Sequence, residues 1–582
     1  MKESQRYEQP KTQFITFFNQ WDFLVLVLFF GFMAATAWGI GSMTQSYQLG
    51  QSIPISTDPR FLPKYALATV IRMTIALGCS FLFTLIVGSL AAKSKRAEKI
   101  IIPFIDIMQS VPVLGFLSFS VLAFIRLFPG SQLGPECAAI FAIFTSQVWN
   151  MALSFYQSLR MLPQDLKDAA AIFNLGPWQK FWRVEVPFAT PGLIWNAMMS
   201  LSAGWFFVVA SEAISVANQH IMLPGIGSYI MLAQEQKNYP ALGYVILTML
   251  IVIILYDQLL FRPLLTWSEQ FQYEANEETG SSSWFLTLLR RSKLIKTISY
   301  AFRNLRNFVV HPRHSKSKKS HFLLHYSPKI PPIFFLIGQR LWSIVFIISI
   351  LAASFFIMQF IYTKIPPTEI VKVFYLGLIT TIKVAILIIL SSLIWVPIGV
   401  WVGLHPKLSR YVQPLAQFLA AFPANLVYPL IFMAIFTYNL NVEIWTAPLM
   451  ILGTQWYILF NVIAGTNVLP LDIKYAAKNY QIKGWLWWKK IMLPAIFPYY
   501  ITGAMTAAGG CWNASIVADV VEWGGQRITA TGLGGYITNF TATADFPRIV
   551  LGIAVMCLYV TLINRFLWRK LYILAETRYN IS

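Results

Sequence analysis

The residues able to do chemistry are few, and they come in pairs. Glu212 precedes the glycines of GIGSYI at Gly225–Ile230, and Asp519 precedes those of GLGGYI at Gly532–Ile537. Both carboxylates close long apolar runs, where a carboxylate is costly unless solvated or paired. Each is either a functional acid on a solute path or a group that faces outer water or caps a turn. The glycines would then allow a tight re-entrant turn. Arg72 and Lys383 stand at the ends of two other apolar runs. They either draw an anionic solute inward or snorkel to headgroups. Trp205, Phe206, Phe207 and Trp512 either line such a path or only pack.

Other chemistries lack their residues. The chain has no GxxxxGK[ST] phosphate loop, no HExxH and no GxSxG, so ATP binding in the P-loop manner is excluded. Cys79, Cys137, Cys511 and Cys557 sit in apolar stretches without CxxC spacing, which suits neither a disulfide frame nor a zinc site. His311, His314, His321 and His325 fall in a basic stretch that reads as solvated linker rather than a metal site. No metal and no resident cofactor are expected. Basic residues lie in short loops flanking apolar runs, which argues against nucleic acid.

The elements that must position these residues are membrane spans. Of 582 residues, 57% are hydrophobic and 12% charged, with mean hydropathy +0.58; roughly 25% charged is usual for a soluble domain. That excludes disorder, collagen and an ordinary cytosolic enzyme. A span needs about 20 apolar residues. The first half offers Trp21–Gly41, Ala66–Ala92, Phe104–Phe128, Cys137–Ser158, Thr190–Glu212 and Leu242–Phe261. The second offers Leu341–Ile361, Val373–Gly403, Val412–Phe436, Val442–Gly465, Phe497–Asp519 and Ile549–Leu567. The expected fold is therefore all-α and integral to the membrane, with about 12 transmembrane helices. Pro112, Pro397 and Pro423 inside spans are tolerable where neighbouring helices re-satisfy the backbone. Met1 to Gln20 is polar and lacks a cleavage site, so the first run is expected to be a retained span.

Assigned alternately by loop, 35 of the 45 Lys and Arg fall on one side. By the positive-inside rule that side is cytoplasmic, and both termini are expected there. Between the halves, Trp284–Val310 carries apolar residues at helical spacing with arginines and lysines between them. That pattern suits a basic amphipathic helix on the inner leaflet, in contact with lipid.

The chain repeats itself. LPQDLKDAAAIFNLGPWQKFWRVEVPFATPGLIWN, from Leu162, aligns without a gap to LPLDIKYAAKNYQIKGWLWWKKIMLPAIFPYYITG, from Leu469. The offset is 494 − 187 = 307 at Pro187 and Pro494, and it holds from Pro163/Pro470 to Arg262/Arg569. It matches Trp205 to Trp512 and Glu212 to Asp519. Upstream it is 383 − 72 = 311, so the second half is shorter by four residues, most simply near Pro129–Glu136. Prolines, tryptophans and charges match, which shared hydrophobicity does not explain. Six spans separate the two LPxDxK segments. They therefore share the cytoplasmic face, and the six-helix repeats are parallel. The expected organisation is a first half at 1–267 (core 66–265), a linker at 268–332, and a second half at 333–582 (core 373–574).

Each repeated segment is a short polar helix, a glycine, a basic-aromatic stretch and a proline opening the next span. The first helix is expected over Asp165–Leu175, ended by Gly176-Pro177, and the second over Asp472–Lys483, ended by Gly484. Two copies on one face point to a paired docking surface rather than to ordinary loop helices. The arrangement resembles the EAA loop of type I ATP-binding-cassette (ABC) importer permeases, in a fused form with both permease halves in one chain. It is nearest the nitrate/sulfonate/taurine/bicarbonate branch. The resemblance covers roughly 66–265 and 373–574. It implies the type I permease fold and ATPase-coupling roles for Asp165, Lys167, Asp168, Ala169, Ala170 and Gly176, and for Asp472, Lys474, Tyr475, Ala476, Ala477 and Gly484. The family's Glu is Asp168 in one copy and Tyr475 in the other. The resemblance also places Glu212 and Asp519 at the family's acidic position before Gly-Leu-Gly. It implies two copies of a separate ABC ATPase subunit that binds ATP, an external substrate-binding protein, a bacterial inner-membrane location and a small anionic substrate. The rival expectation is an ion-gradient-driven secondary transporter, for which no clear midplane carboxylate is found.

Overall fold

The computed structural model describes residues 20–43, 53–110, 113–216, 219–271, 284–292, 358–467 and 469–578, with a few single positions besides. It is a helical bundle with two short hairpins. Among the described residues, seven helices are long and apolar enough to cross a membrane: Pro59–Lys93, Leu133–Arg160, Pro177–Glu212, Tyr239–Phe271, Pro367–Gly403, Gly484–Ala518 and Phe546–Ala575. Two bent pairs bring the number to nine. The helix Gln20–Met43 covers the first expected run. The expected run Leu341–Ile361 lies mostly outside the described residues, as do most of Trp284–Val310, the four linker histidines and Pro112. Within the expected amphipathic stretch, Trp284–Arg291 is helical.

The repeat is legible in how the helices start and cross. Asn238 and Asp545, 307 apart, each cap a helix, accepting from the amides of Ala241 (3.1 Å) and Arg548 (3.4 Å). A proline follows two residues later in both, where no amide hydrogen is needed. The second and fourth spans cross at a glycine in each half. A Cβ on Gly88 would stand 2.8 Å from Phe155, and one on Gly399 2.8 Å from Val462. Small residues at such crossings let backbones approach closely, the main source of helix association in lipid.

The halves also differ. Leu133–Arg160 is continuous. Its counterpart bends by 43° between Val442–Leu452 and Trp456–Asn467, where Gly453 stands in place of Ser146. The expected span Val412–Phe436 is also two helices, Pro406–Ala421 and Ala424–Tyr438, bent by 69°; here the halves agree, since Phe104–Phe128 falls on the two helices Lys95–Ser110 and Val113–Leu127. Pro423 lies at that break, since it removes a helical amide and biases Phe422 to extended backbone. Pro397, by contrast, stays within a continuous helix.

At one end of the bundle the repeated LPxDxK loops emerge. At the other, antiparallel hairpins pair Ala213–Val216 with Gln219–Met222, and Val520–Trp523 with Gln526–Thr529. The first is the loop end and the second the hairpin end. The hairpin-end structures interlock the halves. Trp523 is buried in the N-terminal core and its ring lies 5.8 Å from that of Tyr239. Gly524 donates its amide to the Gln234 carbonyl at 3.1 Å. In return Phe207 and Ile221 join the C-terminal core.

Candidate functional site

Between the halves lies a cavity of about 760 Å³. Its main walls are two long matched helices. Trp195, Asn196, Met199, Ser202 and Phe206 come from Pro177–Glu212; Tyr499, Thr502, Thr506, Trp512 and Asn513 come from Gly484–Ala518. Among the described residues, three hydrogen bonds cross between the halves there. The Val113 amide donates to Asn513 Oδ1 at 3.0 Å, Asn425 donates to the Phe206 carbonyl at 3.0 Å, and the Ser202 and Tyr457 hydroxyls pair. Among the described lining residues are amides, hydroxyls, aromatic rings and aliphatic groups, with no Asp, Glu, Lys, Arg or His. Such a wall offers dipoles and π faces to a solute, not a fixed counter-charge.

Of the eight path candidates, Trp512 and two others line this cavity and five do not. Trp205 faces the N-terminal core and stacks edge-on against Tyr256 at 5.4 Å. Phe206 and Phe207 do line the cavity.

Arg72 neither snorkels nor reaches the cavity. Its side chain is 1% exposed and is saturated by carboxylates. Nε and Nη2 fork onto Glu136 at 2.5 and 2.6 Å, while Nη1 donates to Glu212 Oε1 at 2.6 Å and to the Pro224 carbonyl at 3.0 Å. Glu212 therefore faces no water. It also accepts from Thr69 Oγ1 at 2.7 Å and from the Gly227 amide at 2.8 Å, capping the helix Ile226–Glu235. One cation faces two carboxylates, so no positive charge is left over to attract an anion. Glu136, overlooked in the sequence reading, is its third member.

The second half holds the same set in looser form. Lys383 Nζ lies 3.0 Å from Glu443 and 3.8 Å from Asp519, and donates to the Thr531 carbonyl at 2.8 Å. Thr380 caps the helix Leu533–Thr543 through the Leu533 amide. Asp519 is 1% exposed, and the amides of Gly534 and Gly535 face it without reaching hydrogen-bond geometry. A second cluster supports this end. Arg548 forks onto Glu369 at 2.7 and 3.0 Å, pairs with Asp545, and Tyr536 donates to Glu369 at 3.1 Å. Burial, with the Glu369 carboxylate beside it, pushes the Tyr536 phenol up, so it remains a donor. In the first half Tyr229 donates to the Thr57 carbonyl instead, its phenol pushed up to about 12 by burial.

The glycines after each acid serve closeness rather than a special turn. Gly225 and Gly532 are extended. A Cβ on Gly227 would sit 2.0 Å from the Val209 carbonyl oxygen, and one on Gly534 2.2 Å from that of Ser515.

At the loop end the short helices are Gln164–Ile172 and Leu471–Asn479. They stop earlier than expected, and Gly176 and Gly484 are not their terminators. Asn174 (φ 47°) and Gln481 (φ 49°) take the left-handed position. Leu175 and Ile482 then return amides to the carbonyls of Ala170 and Ala477 at 3.0 and 2.9 Å, a Schellman-type close. Gly176 instead starts the next helical turn, and Gly484 (φ 60°) lies one position on. Ala170 and Ala477 are buried in their own chain, while Asp165, Asp168, Tyr475 and Ala476 are exposed. So are Ile172, Phe173, Tyr480 and Trp485. Lys167 and Ala169 are half-buried, and Asp472 is exposed. Each loop feeds directly into a cavity-lining helix through a π-type turn, Phe181–Glu185 or Trp488–Met492.

Residues 84–260 and 395–570 each match the family described as the binding-protein-dependent transport system inner membrane component. The chain belongs to this family. Its two copies of the family domain together span more than half of the 582 residues. Among individual relatives, the bicarbonate transport system permease protein CmpB of Synechococcus elongatus is 28% identical over 188 residues, 32% of this chain and 64% of its own length. The nitrate import permease protein NrtB of Synechocystis is 21% identical over 174 residues, 28% of this chain and 60% of its own. The glycine betaine/carnitine transport permease protein GbuB of Listeria monocytogenes is 28% identical over 174 residues, 30% of this chain and 56% of its own. The chain thus matches less than two thirds of the length of each of these relatives. In family terms it is a fused, all-α, multi-pass membrane protein of the type I permease fold with the domain present twice.

Proposed function

We propose that this chain is the transmembrane permease subunit of an ABC importer, with the cavity between its repeats as the solute pathway. One observation carries the reading: the helices that wall the cavity from both repeats continue, at one end, into the repeated exposed loops. A push on either loop moves a cavity wall, because a packed helix transmits displacement along its axis. Residues 1–267 and 333–582 form the two halves, and 268–332 is the cytoplasmic linker. The loop end is cytoplasmic, following the excess of basic residues, and both termini lie on that side. The exposed faces around Asp165, Asp168 and Phe173, and around Asp472, Tyr475 and Tyr480, dock a pair of ATPase subunits that bind and hydrolyse ATP. The permease itself is not an enzyme. The buried Ala170 and Ala477 support these faces from beneath.

The hairpin end faces outward and receives solute from a binding protein. ATP-driven closure of the ATPases biases a two-state equilibrium of the wall helices, opening the cavity to one face at a time. The substrate is a small anion of the nitrate, sulfonate or bicarbonate kind. It is handled by amide, hydroxyl and indole dipoles, since Arg72 and Lys383 are engaged by carboxylates. The ion-gradient reading has no support in the relatives' names. The test is uptake by proteoliposomes holding the chain with its ATPases and binding protein. Accumulation that needs ATP and survives collapse of proton and sodium gradients supports the proposal; accumulation driven by a gradient without ATP overturns it.

A further inference from the structure

The two hairpin-end charge sets occupy matched positions, yet their chemistry is unequal. In the first, a guanidinium fork and a glutamate close every distance to 2.6 Å or less, and all three side chains are at most 3% exposed. In the second, the acid is one methylene shorter and the cation is a single ammonium. Lys383 reaches Asp519 only to 3.8 Å, and Glu443 is 43% exposed. A planar fork holds two carboxylates in fixed geometry, whereas an ammonium on a flexible stem does not. Glu212 ends the 36-residue helix Pro177–Glu212, and Asp519 follows the 35-residue helix Gly484–Ala518. Each helix, about 50 Å long at 1.5 Å per residue, runs from coupling loop past cavity to charge set. The short helix Leu533–Thr543 is tied to Glu369 through Tyr536 and to this wall helix through Thr538, whose hydroxyl donates to the Ile516 carbonyl at 2.7 Å, so it travels with the end of Gly484–Ala518.

We infer that the outer gate is lopsided: Arg72, Glu136 and Glu212 form a fixed pivot, and Lys383 with Asp519 is the latch that yields when the second half's wall helix swings outward. This rests on the importer reading above. Asp519 and Lys383 are positioning residues; they act on the solute through the helix they release. The latch is released when the Asp519 carboxylate leaves its buried place, where it has no hydrogen bond to lose, and gains water.

The experiment uses the full chain with its ATPases in nanodiscs, the four cysteines replaced by alanine and Thr502→Cys placed in the cavity wall. A membrane-impermeant maleimide added from outside reports opening, with and without ATP. Lys383→Arg with Asp519→Glu rebuilds the tight set in the second half. It is expected to lower ATP-dependent labelling about tenfold, a bias of about 1.4 kcal/mol, and to slow uptake while the complex stays assembled. Arg72→Lys with Glu212→Asp, which gives the first half the looser set, is expected not to lower ATP-dependent labelling. Asp519→Asn alone is expected to raise labelling without ATP, and it decides the matter if the double variant fails to assemble. Equal effects from the two double variants, or labelling without ATP unchanged in Asp519→Asn, overturns the latch. An unmodified complex that labels and transports without regard to ATP overturns the importer reading instead.

Discussion

Replacing Arg72 by methionine keeps most of the side chain's length and removes its charge from a sealed site. Glu136 then loses both of its hydrogen bonds to Arg72, and Glu212 loses one but keeps those from Thr69 and Gly227. Breaking a buried ion pair by removing one partner costs about 3–5 kcal/mol, mostly because the remaining charge stays buried and unpaired. Here one carboxylate is stripped and the other only thinned, so a loss of about 3–5 kcal/mol is expected for Arg72→Met. The matched Lys383→Met removes a cation whose main partner, Glu443, is 43% exposed and keeps the Thr531 amide. Asp519 loses only a neighbour at 3.8 Å. Its cost is expected to be smaller, about 1–3 kcal/mol, the usual desolvation penalty of one stranded polar group. Reversible unfolding in mixed micelles by SDS titration, followed by tryptophan fluorescence, measures both. The triple variant Arg72→Met, Glu136→Gln, Glu212→Gln removes the stranded charges and should recover about 2 kcal/mol of the loss. If the triple is no more stable than Arg72→Met, or if Lys383→Met costs as much, the argument from sealed charge is wrong.

Three more outcomes are expected. Gly227→Ala and Gly534→Ala place a methyl about 2 Å from a backbone carbonyl, which no rotamer relieves. Each should lower stability by about 1–3 kcal/mol or more, read in the same titration, whereas Gly243→Ala, with open space around it, should be neutral. Phe173→Asp and Tyr480→Asp, on exposed loop positions, should leave folding intact and abolish co-purification of the ATPases. Ala170→Asp, at a buried position, should reduce folded yield. Tyr457→Phe deletes the hydroxyl pairing with Ser202 across the cavity and should cost about 1 kcal/mol, seen as a lower unfolding midpoint.

Much of the architecture could be read from matched prolines, tryptophans and apolar runs, because span length and repeat offset are properties of the chain alone. The charge sets could not. Glu136 and Glu443 are 307 apart, just as Pro187 and Pro494 are. That match was available as a signal, but pairing an acid with Arg72 requires knowing that the second, fourth and fifth spans meet at one point. The loop helices misled for a local reason. Gly176 and Gly484 are natural terminators, yet the positive φ falls on Asn174 and Gln481, residue types that reach the left-handed region at modest cost or under tertiary constraint. The two breaks in the second half were equally hidden, since Gly453 and Pro423 sit in runs whose hydropathy is that of an unbroken span.

The interlocked hairpins set an order of manufacture. Tyr239 and the core around it are finished only when Trp523 arrives, and 523 − 239 = 284 residues must be synthesised in between. At 5–20 residues per second that is roughly 15 to 60 s, during which the first half sits in the bilayer with an uncovered aromatic seat. Two separate chains would spend that interval searching, and a second copy of the first half would compete for the seat. A tethered partner arrives at high effective concentration, always in one-to-one ratio. Fusion thus makes assembly of the two halves a matter of elapsed translation rather than of encounter.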